Sequence, residues 1–292
     1  MDEHHRLPAR PVLRPGLRVV RRDDDHLQVG LSPAQRVVLP DVAAVRGLLE
    51  DLRVGQRPAA DQPDVRRWCH ALAARGLLVD AADVDRGLSG ASARDAVLAL
   101  FAQAGPEAPG RLEARRHARV AIEGDEPWRA VALRLAASAG LTAAGSPETP
   151  VARLLVSAGG EPVRADLDPW MRAGAAHVLV TNVGARVTVG PFVAPGLTAC
   201  LRCVDAHHCD TDPGHAMIVE QHPPEPGEPC DPVLMHLALA WAVRDLVTYV
   251  EGDPPATWSA TVTVDAGLAV ERRDWTRHPR CGCSWGDHLA AG

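Results

Sequence analysis

Two short cysteine pairs constrain this chain more than any other feature: Cys200-Leu201-Arg202-Cys203 and Cys281-Gly282-Cys283. Seventy-seven residues separate them, too many for a compact finger. Four thiolates converging on one ion make a closed tetrahedral site, the usual form of structural zinc. A fold that unites the pairs must therefore return a distant segment to residue 200. A lone C-x-x-C also suits a redox dithiol, and unliganded thiols are a further alternative. The second pair, close to the end of the sequence where the chain needs fastening, favours a structural Zn2+ site formed by Cys200, Cys203, Cys281 and Cys283. His207, His208 and His215 crowd the first pair. With four cysteines completing the site, they read as surface residues or caps. Cys69, Cys209 and Cys230 have no partner at metal spacing and read as buried or incidental thiols.

Seven cysteines, an odd number, do not suggest a disulfide framework. The opening residues, "MDEHHRLPARPVLRPG", lack the apolar core of a signal peptide. No apolar run reaches the roughly 18–20 residues that span a bilayer. A net charge of −6 and a pI near 6.1 give no basic footprint for nucleic acid or for an anionic membrane. The expectation is a cytoplasmic protein with no nucleic-acid or membrane partner. All 31 basic residues are arginine. GC-rich coding accounts for the bias, but no lysine is available for a phosphate loop or a Schiff base.

Along the chain, residues 1–85 read as a small domain. "HLQVGL" (26–31) alternates as a half-buried strand does, and "AQRVVLP" (34–40) follows as its hairpin partner. Asp41 is placed to cap a helix carrying Val42, Val45, Leu48, Leu49 and Leu52, stopped by Gly55. Val65, Trp68, Cys69 and Leu72 mark one face of a second helix. The pattern is a winged-helix-like α+β unit. Thirteen arginines balance thirteen acidic residues there, which argues against DNA. An exposed hairpin edge can instead accept a peptide as an added strand. Residues 86–110 read as a linker with one short helix (91–105). From 111 to 292 the pattern is α/β: strands at 117–124, 152–159, 175–184 and 186–193, a helix at 127–141, a long helix at 231–252, and a terminal hairpin over 257–275.

The run "VTVGPFVAPGLTACLRCVDAHHCDTDP", together with "HPRCGCSW", resembles ThiF-type proteins. These are relatives of ubiquitin-activating enzymes, found with the machinery for azoline-containing modified peptides and labelled cyclodehydratase-associated or leader-peptide-binding. The resemblance covers about residues 111–292 and implies a Rossmann-like domain whose zinc site is closed by the second cysteine pair. It also implies that residues 1–85 are a RiPP recognition element, which holds a precursor's leader as an added strand. By position, Arg36, Val37, Val38 and Leu39 would supply that edge, and Arg66, Arg67 and His70 would face the leader. Homodimerisation is common in such proteins and is carried over as an expectation.

The departures from the family pattern bear on activity. Active members have a glycine-rich loop after the first strand of the domain. This chain has "EGDEPWRA" (123–130), where only Gly124 survives and two carboxylates stand where a polyphosphate needs bare amides. "LLVSAGGEP" replaces an Asp-rich motif, and the lysine contacts have no counterpart. The expected function is a non-catalytic scaffold that presents a leader peptide to a separate YcaO-type cyclodehydratase, without ATP. Two alternatives remain: an adenylating enzyme with a rebuilt, arginine-based nucleotide site, and a zinc-stabilised interaction module with no part in peptide modification.

Overall fold

The structure is a computed structural model that describes residues 7–58, 62–221 and 229–284. The chain divides into two compact units, Met1–Glu113 and Ala114–Gly292. In the first, strands β1 (Pro11–Leu13), β2 (Val19–Arg21), β3 (His26–Val29) and β4 (Val37–Pro40) precede helices α1 (Ala43–Val54) and α2 (Pro63–Ala74). Then come β5 (Leu78–Asp80), α3 (Ala81–Leu88), α4 (Arg94–Ala104) and α5 (Ala108–His117), the last crossing the boundary between units.

The hairpin expected over 26–40 forms, with Leu27 opposite Leu39 and Val29 opposite Val37. Strand β2 adds to it, giving an antiparallel sheet β2-β3-β4. Val45, Leu48, Leu49 and Leu52 recur at helical spacing along α1 and meet Val65, Cys69 and Leu72 of α2 in one core. Gly55 ends α1 in the left-handed conformation (φ 72°), where a side chain is disfavoured. Asp41 does not cap this helix. Val42 takes that position without a side-chain bond, and the Asp41 carboxylate instead grips the Arg46 guanidinium at 2.6 and 2.9 Å. Residues 86–110 contain α4, a 3-10 turn at Gly105–Glu107 and the start of α5, and their apolar side chains form a core around Phe101. The β1–β5 pair joins residues nearly seventy positions apart and had no local signal.

The second unit is a mixed α/β layer around a seven-stranded sheet. Its elements are β6 (Arg119–Gly124), α6 (Trp128–Ser138), β7 (Thr142–Ala143), β8 (Ala152–Ser157), α7 (Arg164–Arg172), β9 (His177–Val183), β10 (Arg186–Val193), α8 (Leu201–Thr211), α9 (His215–Glu220), α10 (Pro232–Val250), β11 (Ala260–Val264) and β12 (Val270–Asp274). The sheet order is β12-β11-β10-β9-β8-β6-β7. Strands β7, β6, β8 and β9 run parallel, and β10, β11 and β12 extend the sheet antiparallel.

Helix α10 starts where the sequence indicates. Asp231 accepts from the backbone N–H groups of Val233 and Leu234 at 2.8 and 3.1 Å, and Pro232 occupies the first turn. By length and composition alone this helix could cross a membrane, but half of its apolar window is buried. Leu234, Met235, Leu239 and Leu246 pack into the core over β8, β9 and β10. Just past its C-terminus, Glu251 is buried with Arg115. The Arg115 Nε donates to Glu251 Oε1 at 2.6 Å, and Nη1 donates to the Ala139 carbonyl at 2.9 Å.

Candidate metal centre

Strand β10 ends at Val193, and the chain then turns through residues 194–199. Thr198 Oγ1 accepts from the Ala194 N–H at 2.7 Å, and the Ala199 N–H donates to Ser259 Oγ at 2.9 Å. This delivers Cys200 to the N-cap of α8 and Cys203 to its first turn. The pair sits at a loop-to-helix junction, which fixes both sulfurs against one backbone. After β12, Trp275 folds inward, and Cys281 and Cys283 sit at a short 3-10 turn over Gly282–Ser284. Val193, Ala199, Val204 and Trp275 form a small apolar shell around the sulfurs.

The four sulfurs lie within 4.8 Å of one another. Cys200 Sγ is 3.7 Å from Cys203 Sγ and 3.6 Å from Cys281 Sγ, and Cys203 Sγ is 3.3 Å from Cys283 Sγ. A regular tetrahedron with metal–sulfur bonds of about 2.3 Å has edges of about 3.8 Å. All seven cysteines are free thiols, so no disulfide competes for these positions. The donor set and its spacing therefore fit a four-coordinate ion, and this cluster could hold one.

Electrostatics gives the same answer. Two thiolates at this separation repel by about 4 kcal/mol at an effective dielectric of 20, and four of them cannot coexist without a cation. With protons alone, the strain appears as opposed shifts. Cys200 is pushed well above the ordinary thiol value, chiefly through its hydrogen bond with Cys203. Cys203 is pushed far below it by the same bond, and the His278 backbone N–H helps by donating to it. Beside the sulfurs opens a cavity of about 380 Å³, lined by Met171, Arg172, His177, Leu201 and Gly282 among others.

The neighbouring histidines are engaged elsewhere. His207 Nε2 lies 3.0 Å from the Thr276 carbonyl, and its ring centroid is 4.7 Å from that of His278. The His208 and His215 rings lie 4.8 Å apart at a tilt of 36°, with His215 near Asp205 at 3.6 Å. Burial, with the neighbouring His215, lowers the His208 pKa. His278 Nε2 is 3.0 Å from Asp210 Oδ2, and Arg280 pairs with the same carboxylate. Sequence reading missed His278 and Asp210 because they partner each other across 68 residues, with no local signal to join them. Cys209 is half-buried, Cys230 contacts the Asp231 carbonyl at 3.6 Å, and Cys69 lies in the core of the first unit.

Among the residues expected to meet a peptide, Val37, Val38 and Leu39 lie on β4, an edge strand of the sheet β2-β3-β4, with Arg36 just before it. Leu39 points into the core at 2 % exposure, while Val38 is 41 % exposed. Arg66, Arg67 and His70 are exposed on α2, which packs against β4. Arg67 pairs with Asp64 at 3.0 Å.

The place expected for a phosphate loop is filled from within. Strand β6 ends at Gly124 (φ +118°), where an added Cβ would run into the Val156 carbonyl. Asp125 Oδ2 then accepts from the N–H groups of Ala158 at 2.8 Å and Gly159 at 3.4 Å. Those amides, at the carboxyl end of β8, are held by the chain's own anion. Nearby, Arg129 is paired with Glu126 at 3.1 Å.

No protein-family model matches the chain, and no curated protein matches it. Solved structures do match in fold. A heterocyclase in complex with substrate and cofactor aligns over 94 % of this chain and 39 % of its own, with 16 % identity and a TM-score of 0.71. The heterocyclase TruD aligns over 95 % of this chain and 43 % of its own, with 15 % identity and a TM-score of 0.72. MccB from E. coli, in a structure with ATP, aligns over 94 % of this chain and 99 % of its own, with 11 % identity and a TM-score of 0.62. The chain thus spans about two-fifths of the heterocyclase chains and nearly all of MccB, and it shares their fold.

Proposed function

We propose that this protein is a non-catalytic scaffold that captures the leader of a ribosomally made precursor peptide and presents it to a separate YcaO-type cyclodehydratase. Residues 1–85 act as a winged-helix-like recognition element. The leader adds as a strand along β4 at Arg36–Leu39, so that backbone hydrogen bonds supply affinity whatever the side chains. Arg66, Arg67 and His70 on α2 select among leaders. In the second unit, a degenerate ThiF-type domain, Zn2+ on Cys200, Cys203, Cys281 and Cys283 fastens the segment after β12 to α8. When bound, such an ion supplies folding energy rather than chemistry, because four protein ligands leave it no open position.

The observation that carries the non-catalytic part is Asp125. Its carboxylate stands in the loop after β6, where a polyphosphate would need bare amides, and the Ala158 and Gly159 N–H groups hold it there, so its charge repels the phosphates. The heterocyclase likeness supports the setting. Those chains extend well beyond the shared fold, and in this reading the chemistry of that remaining part belongs to the partner enzyme. One finding favours the ATP-dependent adenylating alternative: the likeness to MccB, in a structure with ATP, over almost its whole length.

Calorimetry on one preparation separates the readings. The full chain is titrated with ATP, and then with the leader of the precursor encoded beside its gene. Peptide binding without ATP heat is the expected result. An Arg66→Glu/Arg67→Glu variant weakens peptide binding about tenfold, equal to about 1.4 kcal/mol. ATP binding without peptide binding would make this an enzyme. A gene neighbourhood with neither a precursor nor a YcaO-type enzyme would leave an interaction module of another kind.

A further inference from the structure

Cys203, His207 and Asp210 recur at helical spacing along α8, on one face of the helix. All three reach the segment after β12. Cys203 meets Cys283 at 3.3 Å, His207 Nε2 meets the Thr276 carbonyl at 3.0 Å, and Asp210 Oδ2 meets His278 Nε2 at 3.0 Å. By distance alone, His207, Asp210 and His278 form a second group able to hold a divalent ion, with ligand atoms within 4.8 Å of one another.

The direction of the hydrogen bonds decides against a second ion. A carbonyl oxygen only accepts, so the contact with Thr276 puts a proton on His207 Nε2. The backbone N–H of Arg280 donates to His278 Nδ1 at 3.1 Å, which makes Nδ1 the acceptor and leaves the proton on Nε2. That Nε2–H donates to Asp210. Both nitrogens facing the group are therefore protonated. A ligating histidine has the reverse arrangement, with a bare nitrogen toward the metal and the other N–H donated outward. The Arg280 guanidinium already neutralises Asp210, so the carboxylate has its cation.

We propose that His207 and Asp210 form an outer clamp that sets how slowly the four-cysteine centre releases its ion. They act through residues 276–283 and bind no second metal. The inference rests on that centre holding a metal. His278 is the coupling residue: Asp210 fixes its ring, while its backbone carbonyl accepts from the N–H of the ligand Cys281 at 2.9 Å. Freeing the ring loosens the backbone that holds Cys281 and lets the Cys281–Cys283 turn lift away. Partners outside the ligand set of a metal site contribute about 10–100-fold to retention.

The test is zinc release from the full-length, zinc-loaded protein into excess chromophoric chelator. Asp210→Ala releases zinc at least about tenfold faster than the parent. Asp210→Asn keeps an acceptor for the His278 Nε2–H but loses the Arg280 pair, and it falls between the two. It also serves if the alanine variant folds poorly. A nitrogen-detected histidine NMR spectrum should report His278 with its proton on Nε2, and that signal should shift in Asp210→Asn. Equal release rates in parent and variants would sink the clamp while leaving the centre intact. A second equivalent of zinc or cobalt, lost in His207→Ala, would show a second metal site and overturn the assignment. A parent protein without zinc, even after reconstitution, would remove the centre itself, a failure distinct from either.

Discussion

Replacing Cys203 by serine reduces bound zinc from about one ion per chain to near zero, and the second unit then melts well before the parent does. In minimal zinc peptides the ion supplies about 10–16 kcal/mol of folding free energy. The effect here is smaller, because the seven-stranded sheet has its own core apart from the apolar shell around the sulfurs. We expect a loss of about 4–6 kcal/mol, which in a unit of this size lowers the melting temperature by roughly 8–24 °C. Elemental analysis and calorimetric melting of parent, Cys203→Ser and chelator-treated parent would check this. The two zinc-depleted samples should agree with each other. A zinc-free protein that melts where the zinc-loaded one does would mean that the sulfur cluster bears no load.

The second large effect is expected at Arg115→Ala. Arg115 is 5 % exposed, and the Glu251 side chain only 1 %. Removing the guanidinium takes away the close partner of a buried carboxylate, leaves it the longer contact with Arg244 at 3.7 Å, and frees the Ala139 carbonyl; breaking such a pair costs about 3–5 kcal/mol. The pair itself is no great asset, because desolvating two charges offsets most of their attraction. The double variant Arg115→Met/Glu251→Leu should therefore recover most of the loss. Urea unfolding of the three variants tests the point. A double variant no more stable than Arg115→Ala would mean that the pair stabilises the unit outright.

How much of this was legible in the sequence depended on whether the signal was local. The strands β6, β8, β9 and β10 show up as apolar runs, most plainly β9, where six successive residues are buried. Helix α10 shows up because a cap, a proline and a long apolar face coincide. The four cysteines could be paired because thiols at short spacing have few other uses in a chain of this kind. Helix α7 was invisible, since Pro169 sits inside it and only Leu167 is buried. Helix α8 was hidden by its composition, with two histidines and two cysteines among its eleven residues. The histidines were set aside because four cysteines complete the site, and the partners of His207, Thr276 and His278, lie about seventy residues further on. Asp41 illustrates the opposite error, a correct local rule overridden by a stronger neighbour, Arg46.

The sulfur centre also alters how the chain would respond to force. An ion joining Cys203 to Cys281 takes α8, α9, α10, β11 and β12 out of the load path, because tension passes through the metal rather than around the loop. Those 77 intervening residues would contribute nothing to extension until the metal–thiolate bonds yield. At about 3.3–3.6 Å per residue the concealed contour length is roughly 250–280 Å. Pulled from its ends, the zinc-loaded protein would come up short by that amount and regain it in a single step when the ion leaves.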